Sequence, residues 1–296
     1  AHSMNDWPVV IAVPAWTPPY VDLAVKYTIP AALASLAKSP FRDVTFLMHT
    51  DDPARMAEAV GTSAKVDVRQ INPHGDGDHT WRLFKQAHKD ALAVTPIGGV
   101  ACLLNSDIVV SKETFAIVAD ELEHKKVVVS VGIRTAIDHA SPPIGVSADE
   151  LARWIWANPH HITKECIWGS GTSHHPTILF FEDETGVTMR AWHLTPMFIR
   201  KDRELTFYGT IDDDLLGNYS DHEIRYLHDG EAIFAELSPD WKTHPFGTPL
   251  TVQGVLRFGQ ERFRPAHVRN FQQRMRVLGT PGPDHPAVVE ILSMID

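Results

Sequence analysis

The sequence contains little cysteine and no long apolar run. Only two cysteines occur, Cys102 and Cys166, which excludes a disulfide framework and a cysteine-based zinc site and favours a reducing compartment. No run of about 18 apolar residues is present and no secretory leader is recognisable. We therefore expect neither a membrane-spanning helix nor export, and predict a cytoplasmic protein.

Positive charge is also scarce. Lysine and arginine number 27 against 37 acidic residues, which gives a net charge of −10. Because a nucleic-acid-binding surface needs a basic patch, we predict no nucleic-acid partner. The hydrophobic fraction of 44% and the charged fraction of 22% are ordinary for a soluble globular protein. Residues 1–3 precede Met4 and are predicted to be a tag remnant, and residues 4–296 are predicted to form a single domain.

Short apolar runs alternate with amphipathic segments in the first half of the chain. Predicted strands cover residues 7–13, 44–48, 66–71, 100–104, 126–133, 177–181 and 189–199. Predicted helices cover residues 21–38, 54–60, about 80–94, and segments beginning at the N-cap candidates Ser111 and Ser147. This alternation predicts an α/β fold with a doubly wound, mostly parallel sheet and helices on both faces.

Candidate site residues follow three of the predicted strands. They are Pro14, Ala15 and Trp16 after the first, Asp51 and Asp52 after the second, and Asn105, Ser106 and Asp107 after the fourth. The carboxyl ends of parallel strands share one edge of the sheet, where ligands bind. Carboxylates gathered there favour Mg²⁺ or Mn²⁺, which bridges a diphosphate to one or two Asp residues. The alternative is structural: Asp51 and Asp52 form a turn and N-cap before Pro53, and Asp107 is a turn residue.

The order of these segments resembles the GT-A-fold glycosyltransferases of the large inverting, nucleotide-sugar-dependent type. The resemblance covers residues 7 to about 216. It rests on VVIAVPAWTPP after the first strand, FLMHTDD at the second, Asn105-Ser106-Asp107 in the place of the Asp-x-Asp motif, and Ile211-Asp212-Asp213-Asp214-Leu215 at a helix start. The sequence departs from the family at Asn105, which replaces the first Asp of the motif, and at Ile211, which replaces a Glu.

The resemblance implies a GT-A-like fold and transfer of a hexose or related sugar from a nucleotide-diphosphate sugar, with a UDP-sugar favoured, to a glycan or glycolipid. Residues 4–135 would bind the nucleotide and residues 136–296 the acceptor, with peripheral work at the inner face of a membrane as one option. It further implies a metal, Mn²⁺ or Mg²⁺, on Asp107, with His267 as a late second ligand, and Asp212 as the base with Asp213 beside it. Nucleotide contacts are predicted for Pro14, Ala15, Trp16, Asp51, Asp52, Asn105 and Ser106, and for Arg82 on the helix after the third strand.

Three other functions remain open at this point. A retaining transferase of the same fold would share these residues. A nucleotidyltransferase uses a similar sheet, although PAWTPPY lacks the Gly-rich phosphate loop that such enzymes carry after the first strand. A non-catalytic nucleotide-sugar-binding module would account for Asn105 and Ile211. Aspartates at a helix start also have a structural explanation, because they complement the helix dipole, and the alternative for His267 is a satisfied surface histidine.

Overall fold

The computed structural model describes residues 3–73, 79–240 and 247–295. Its strands are β1 (Pro8–Ala12), β2 (Asp43–Thr50), β3 (Lys65–Gln70), β4 (Val100–Leu103), β5 (Ile108–Val110), β6 (Val127–Val129), β7 (Gly132–Ala136), β8 (Thr172–Ser173), β9 (Ile178–Glu182), β10 (Gly186–Ala191), β11 (Met197–Arg200), β12 (Ile224–Tyr226), β13 (Phe234–Ser238), β14 (Thr248–Pro249) and β15 (Met275–Gly279). Its α-helices are α1 (Pro18–Leu23), α2 (Ile29–Leu36), α3 (Pro53–Val60), α4 (His79–Val94), α5 (Thr114–Leu122), α6 (Ala148–Ala157), α7 (His161–Glu165), α8 (Ile211–Asp214), α9 (Val252–Arg262), α10 (Pro265–Phe271) and α11 (Pro286–Ser293). No helix in these ranges is long and apolar enough to span a membrane.

A seven-stranded sheet forms the centre of the protein, in the order β12-β6-β11-β4-β1-β2-β3. Six strands run parallel, and β11 alone is antiparallel to its neighbours β4 and β6. The predicted α/β fold with a mostly parallel sheet is therefore confirmed. The uninterrupted apolar sequence of β1 explains its central place, since a strand covered on both faces must be apolar on both.

Helices cover both faces of this sheet. Val9 and Ile11 of β1 pack in one apolar cluster with residues of α1, α2, α3 and α5. Val10 and Ala12 belong to a second cluster with residues of α4 and α8. Successive residues of a strand point to opposite faces, so this partition is the doubly wound arrangement that the sequence predicts. A third cluster, built around Trp192, joins β9 to α9, α10 and α11.

Three smaller sheets complete the fold: β5-β13-β7, β15-β10-β9 and the pair β14-β8. The strand predicted over residues 126–133 is wrong as one element, because β6 ends at Val129 in the central sheet and β7 begins at Gly132 in another. The strand predicted over 189–199 is likewise divided into β10 and β11. The segments between β6 and β7 and between β10 and β11 are hydrogen-bonded to each other. The N–H groups of Ser130 and Gly132 donate to the carbonyls of Pro196 and Thr195. An apolar run in the sequence shows that residues are buried. It does not show where one strand ends, because the residues stay buried as the chain passes from one sheet to the next.

Helix boundaries show two further effects of local chemistry. The helix predicted over residues 21–38 is continuous across Pro30, but a π-helical segment (Ala24–Thr28) joins α1 to α2 and Pro30 falls within the first turn of α2, where a missing N–H is tolerated. Ser111, predicted to cap α5, lies ahead of the observed N-cap Glu113. Its Oγ instead accepts the N–H of Ile233 and so holds the segment before β13. Ser147 caps α6 as predicted.

Candidate functional site

A cavity of about 850 Å³ opens at the carboxyl edge of the central sheet. Segments from both halves of the chain contribute to its wall. The lining side chains include Pro14, Trp16, Trp81, Phe84, Lys85, His88, Asn105, Ser106, Asp107, Arg134, His193, Thr195, Asp212, Asp213, Glu236 and Arg262. The volume lies in the range of small-molecule and cofactor sites.

The structure brings seven of the predicted site residues to this cavity. They are Pro14, Trp16, Asn105, Ser106, Asp107, Asp212 and Asp213. Parallel strands explain the meeting of the first five, because β1 and β4 are neighbours and end side by side.

The other predicted nucleotide contacts do not border the cavity. Ala15 is buried, and its N–H donates to the carbonyl of His49. Asp51 accepts the N–H of Thr17 at 3.1 Å, and Asp52 accepts the N–H of Arg55 as the N-cap of α3. The N-cap alternative therefore describes Asp52. Asp51 instead holds the loop after β1 through Thr17, which itself lines the cavity. Arg82 is exposed on α4 outside the cavity wall.

The three consecutive aspartates at the start of α8 have different partners. Asp213 accepts the N–H of Thr210 at 2.8 Å and completes a capping box, and Asp214 accepts the N–H groups of Tyr208 and Gly209. Asp212 instead reaches across to the segment before β11, where it accepts the N–H of Leu194 at 2.7 Å. Local contacts with the turn before α8 thus explain Asp213 and Asp214, and Asp212 is the one of the three that makes long-range contacts.

Two histidines flank the Asp212 carboxylate. His193 Nδ1 lies 3.3 Å from Oδ2, and His267 Nε2 lies 3.4 Å from Oδ1. Burial by itself raises the pKa of Asp212, but the charges and hydrogen bonds of His193 and then His267 outweigh it and hold the pKa well below its usual range. Asp212 is consequently an ionised carboxylate at neutral pH.

His267 acts as a support behind Asp212. Its Nδ1 accepts the N–H of Arg264 at 3.0 Å, so the ring carries its hydrogen on Nε2, toward Asp212. The side chain is 2% exposed and does not line the cavity. Both ring nitrogens thus have partners, and we do not assign His267 to a metal.

His193 is the main site residue that the sequence analysis missed. It lies in a run interpreted as one strand, yet it belongs to the loop before β11. Because β11 is antiparallel, its first residue Met197 pairs with Leu103 and Val129, the last residues of β4 and β6. The reversal therefore delivers His193 to the edge where the parallel strands end. A polar residue followed by Leu-Thr-Pro inside an apolar run was the available signal.

An ion pair stands beside His193. Arg134 of β7 and Glu236 of β13 are partners in register, with a nitrogen-to-oxygen distance of 3.3 Å. Burial lowers the pKa of His193, and the charge of Arg134 also lowers it. The Asp212 carboxylate and, to a smaller extent, Glu236 raise this pKa by more, so that it lies above the ordinary 6.5. A smaller chamber of about 70 Å³ adjoins this ion pair and is also lined by His193.

Part of the cavity wall is aromatic, and two buried polar atoms beside it have no hydrogen bond of good geometry. Trp16 and Phe84 have ring centroids 4.7 Å apart, and Trp81 lies beyond Phe84 with 66% of its surface exposed. Below them, Nε2 of His88 and Oδ1 of Asn105 are buried without a hydrogen-bond partner of good geometry among the described residues. Such atoms are costly unless a ligand or water satisfies them. Burial lowers the pKa of His88 to about 4, against the opposing effect of Asn105, so this ring is neutral at pH 7.

Two side chains after β4 carry oxygens of the type that a hard divalent cation takes. Asp107 supplies a carboxylate to the cavity wall, and Oδ1 of Asn105 is a second oxygen from the same turn. Mg²⁺ and Mn²⁺ take such oxygens together with those of a phosphate.

Elsewhere in the described ranges, His160, His161 and Asp240 bring three potential ligand atoms within 4.8 Å of one another. However, His160 already accepts the N–H of Ile162 and donates to the carbonyl of Pro239, which makes it a helix cap.

Comparison with known proteins yields only distant similarity. No protein-family model and no curated protein matches this chain. Among solved structures, S. aureus TarS is 20% identical over 46% of this chain and 23% of its own length, with a TM-score of 0.29. A TarS fragment of residues 1–349 is 19% identical over 46% of this chain and 38% of its own, also with a TM-score of 0.29. The match therefore spans well under half of either TarS chain.

Proposed function

We propose that this protein transfers a glycosyl group from a nucleotide-diphosphate sugar to a hydroxyl acceptor. The proposal rests on one observation: a single cavity is lined both by oxygen ligands for a metal–diphosphate and by a pair of side chains that can accept a proton. The oxygens of Asn105 and Asp107 after β4 suit a metal–diphosphate, and the Asp212–His193 pair on the facing segments suits proton removal from a hydroxyl. The similarity to TarS is too low to contribute to this argument.

The shape of the cavity agrees with such a donor. A volume of about 850 Å³ accommodates a nucleotide with its sugar. The aromatic wall of Trp16, Phe84 and Trp81 offers flat apolar surface on which a ring can stack. A UDP-sugar is the donor that we favour, and a glycan or glycolipid is the acceptor.

Each residue has a distinct part in the proposed reaction. Asp107 and the Asn105 amide oxygen would hold Mg²⁺ or Mn²⁺, which neutralises charge on the departing diphosphate. The Asp212–His193 pair would draw the proton from the acceptor hydroxyl. We propose direct displacement with inversion at the anomeric carbon, and anomeric analysis of the product would separate this from retention.

The first test is a thermal-shift panel of UDP, GDP, CMP and TDP with their sugars, with and without Mn²⁺. One nucleotide family is expected to raise the melting temperature in a metal-dependent way, because binding to the native state at ~100 times Kd adds about 2.7 kcal/mol of stability. Asp107→Asn should lose the metal-dependent part, whereas Asp120→Asn, an exposed carboxylate on α5, should keep it. If no nucleotide raises the melting temperature with or without Mn²⁺, the proposed function is wrong.

A further inference from the structure

We propose that His193, and not the Asp212 carboxylate, takes the proton from the acceptor, and that Asp212 is the positioning residue for its ring. This inference rests on the proposed function for the identity of the reaction. Its structural basis is the row of three side chains His267, Asp212 and His193, which joins α10, the start of α8 and the loop before β11.

The Asp212 carboxylate already has three donors. Its Oδ1 accepts the Leu194 N–H at 2.7 Å and faces His267 Nε2–H at 3.4 Å, and its Oδ2 faces His193 Nδ1 at 3.3 Å. The Arg264 N–H fixes the tautomer of His267 from the other side of that ring. A carboxylate stabilised in this way is a weak base, since each donor that favours the ionised form lowers its affinity for a proton.

His193 has one ring nitrogen, Nε2, that can still accept a proton. Nδ1 is directed to Asp212, which places the ring hydrogen there and leaves a lone pair on Nε2. Among the described residues Nε2 makes no hydrogen bond, and the side chain, 27% exposed, lines both the main cavity and the small chamber beside it. The other charged groups that act on this ring are Glu236 of β13 and Arg134 of β7, which are paired with each other.

The reaction follows from this arrangement. The acceptor hydroxyl gives its proton to Nε2 of His193 while its oxygen forms the new bond to the anomeric carbon. The bond from that carbon to the diphosphate oxygen breaks, and its electron pair leaves with the nucleoside diphosphate. Asp212 stabilises the imidazolium through the Nδ1–H bond, and the proton passes to water once the products leave.

Histidine NMR tests the pair independently of turnover. In ¹⁵N-labelled protein His193 is expected to carry its hydrogen on Nδ1, with a pKa above 6.5 that falls in Asp212→Asn. The matched control is Asp229→Asn, which removes the partner of His228 in a second Asp–His pair outside the cavity, 2.9 Å between Nε2 and Oδ1, and should leave the His193 signals unchanged. A His193 ring with its hydrogen on Nε2, or a pKa indifferent to Asp212→Asn, would overturn the inference.

Kinetics then separates the two candidate bases. With His193 as base, the transfer rate rises about tenfold per pH unit below the pKa of His193 and levels off above it, and His193→Gln lowers it by ~10²–10⁴ while metal-dependent donor binding persists. With Asp212 as base, the rate is flat across neutral pH and His193→Gln costs little, a result that contradicts the inference. His228→Gln should retain wild-type transfer. If the wild-type protein binds no donor, the proposed function is wrong. The NMR experiment still tests separately whether His193 and Asp212 form a pair.

Discussion

Acidification from pH 7 to pH 5 is expected to lower the free energy of unfolding by about 2 kcal/mol through His88 alone. This ring is 5% exposed, and burial lowers its pKa from 6.5 to about 4. Above pH 6.5 the ring is neutral in both states, so it contributes no pH dependence. Between the two pKa values the unfolded chain binds a proton that the native protein does not, so the free energy of unfolding decreases as the pH is lowered. The loss reaches about 3 kcal/mol below pH 4, where the native ring also protonates.

Urea unfolding of the wild-type protein and His88→Gln at both pH values isolates this effect. Other titrating groups contribute equally to both proteins, so the difference between the two pH-induced losses belongs to His88. His88→Gln should lose about 2 kcal/mol less than the wild type between pH 7 and pH 5, whereas His124→Gln, at an exposed position, should match the wild type. Equal losses in the wild type and His88→Gln would refute the reasoning and mean that the buried ring is already protonated or hydrated.

Two further predictions concern the supporting structure. Gly259→Ala should lower the unfolding free energy by about 1 kcal/mol or more in denaturant titrations, because the new Cβ would lie 2.8 Å from the buried Trp192 ring. Gly217→Ala, where a Cβ meets no atom within 4 Å, should not destabilise, and an equal loss in both variants would exclude crowding as the cause. Arg190→Met should lower the unfolding free energy by about 3 kcal/mol, since it strips a 4%-exposed guanidinium from Asp284 and from the carbonyls at the end of α10. A melting temperature within 1 °C of the wild type would contradict this last estimate.

The first half of the fold follows closely from the sequence, and the second half does not. Strand–helix alternation locates β1 to β4 and the helices up to α5 to within a few residues, because strands such as β1 and β4 are apolar and buried and the connections between these elements are local. Beyond Val129 the chain moves between sheets within a few residues, as at Ser130–Val131 and again between Ala191 and Met197. Periodicity in one chain reports which residues are buried but not which sheet buries them.

The candidate site shows the same limit. Residues at strand ends were predictable, since the position of a strand end in a parallel sheet follows from topology, and Asp107 and Asp212 do reach one cavity. Asp51 and Asp52 illustrate the limit, because a strand end also needs caps and turns. The carboxylate of Asp212 could be predicted, but its histidines could not. They come from segments 19 residues before and 55 residues after it in the sequence, and nothing in either segment marks the other as a neighbour.

Because His267 comes late in the sequence, the row of His267, Asp212 and His193 is completed later during translation than the rest of the cavity. The wall formed by Pro14, Trp16 and Asp107 is present in the chain long before residue 267 leaves the ribosome. Until α10 arrives, Asp212 lacks one of its two imidazole partners and its proton affinity is higher. The residues that would hold a diphosphate are therefore translated before the group of side chains that would remove a proton is complete.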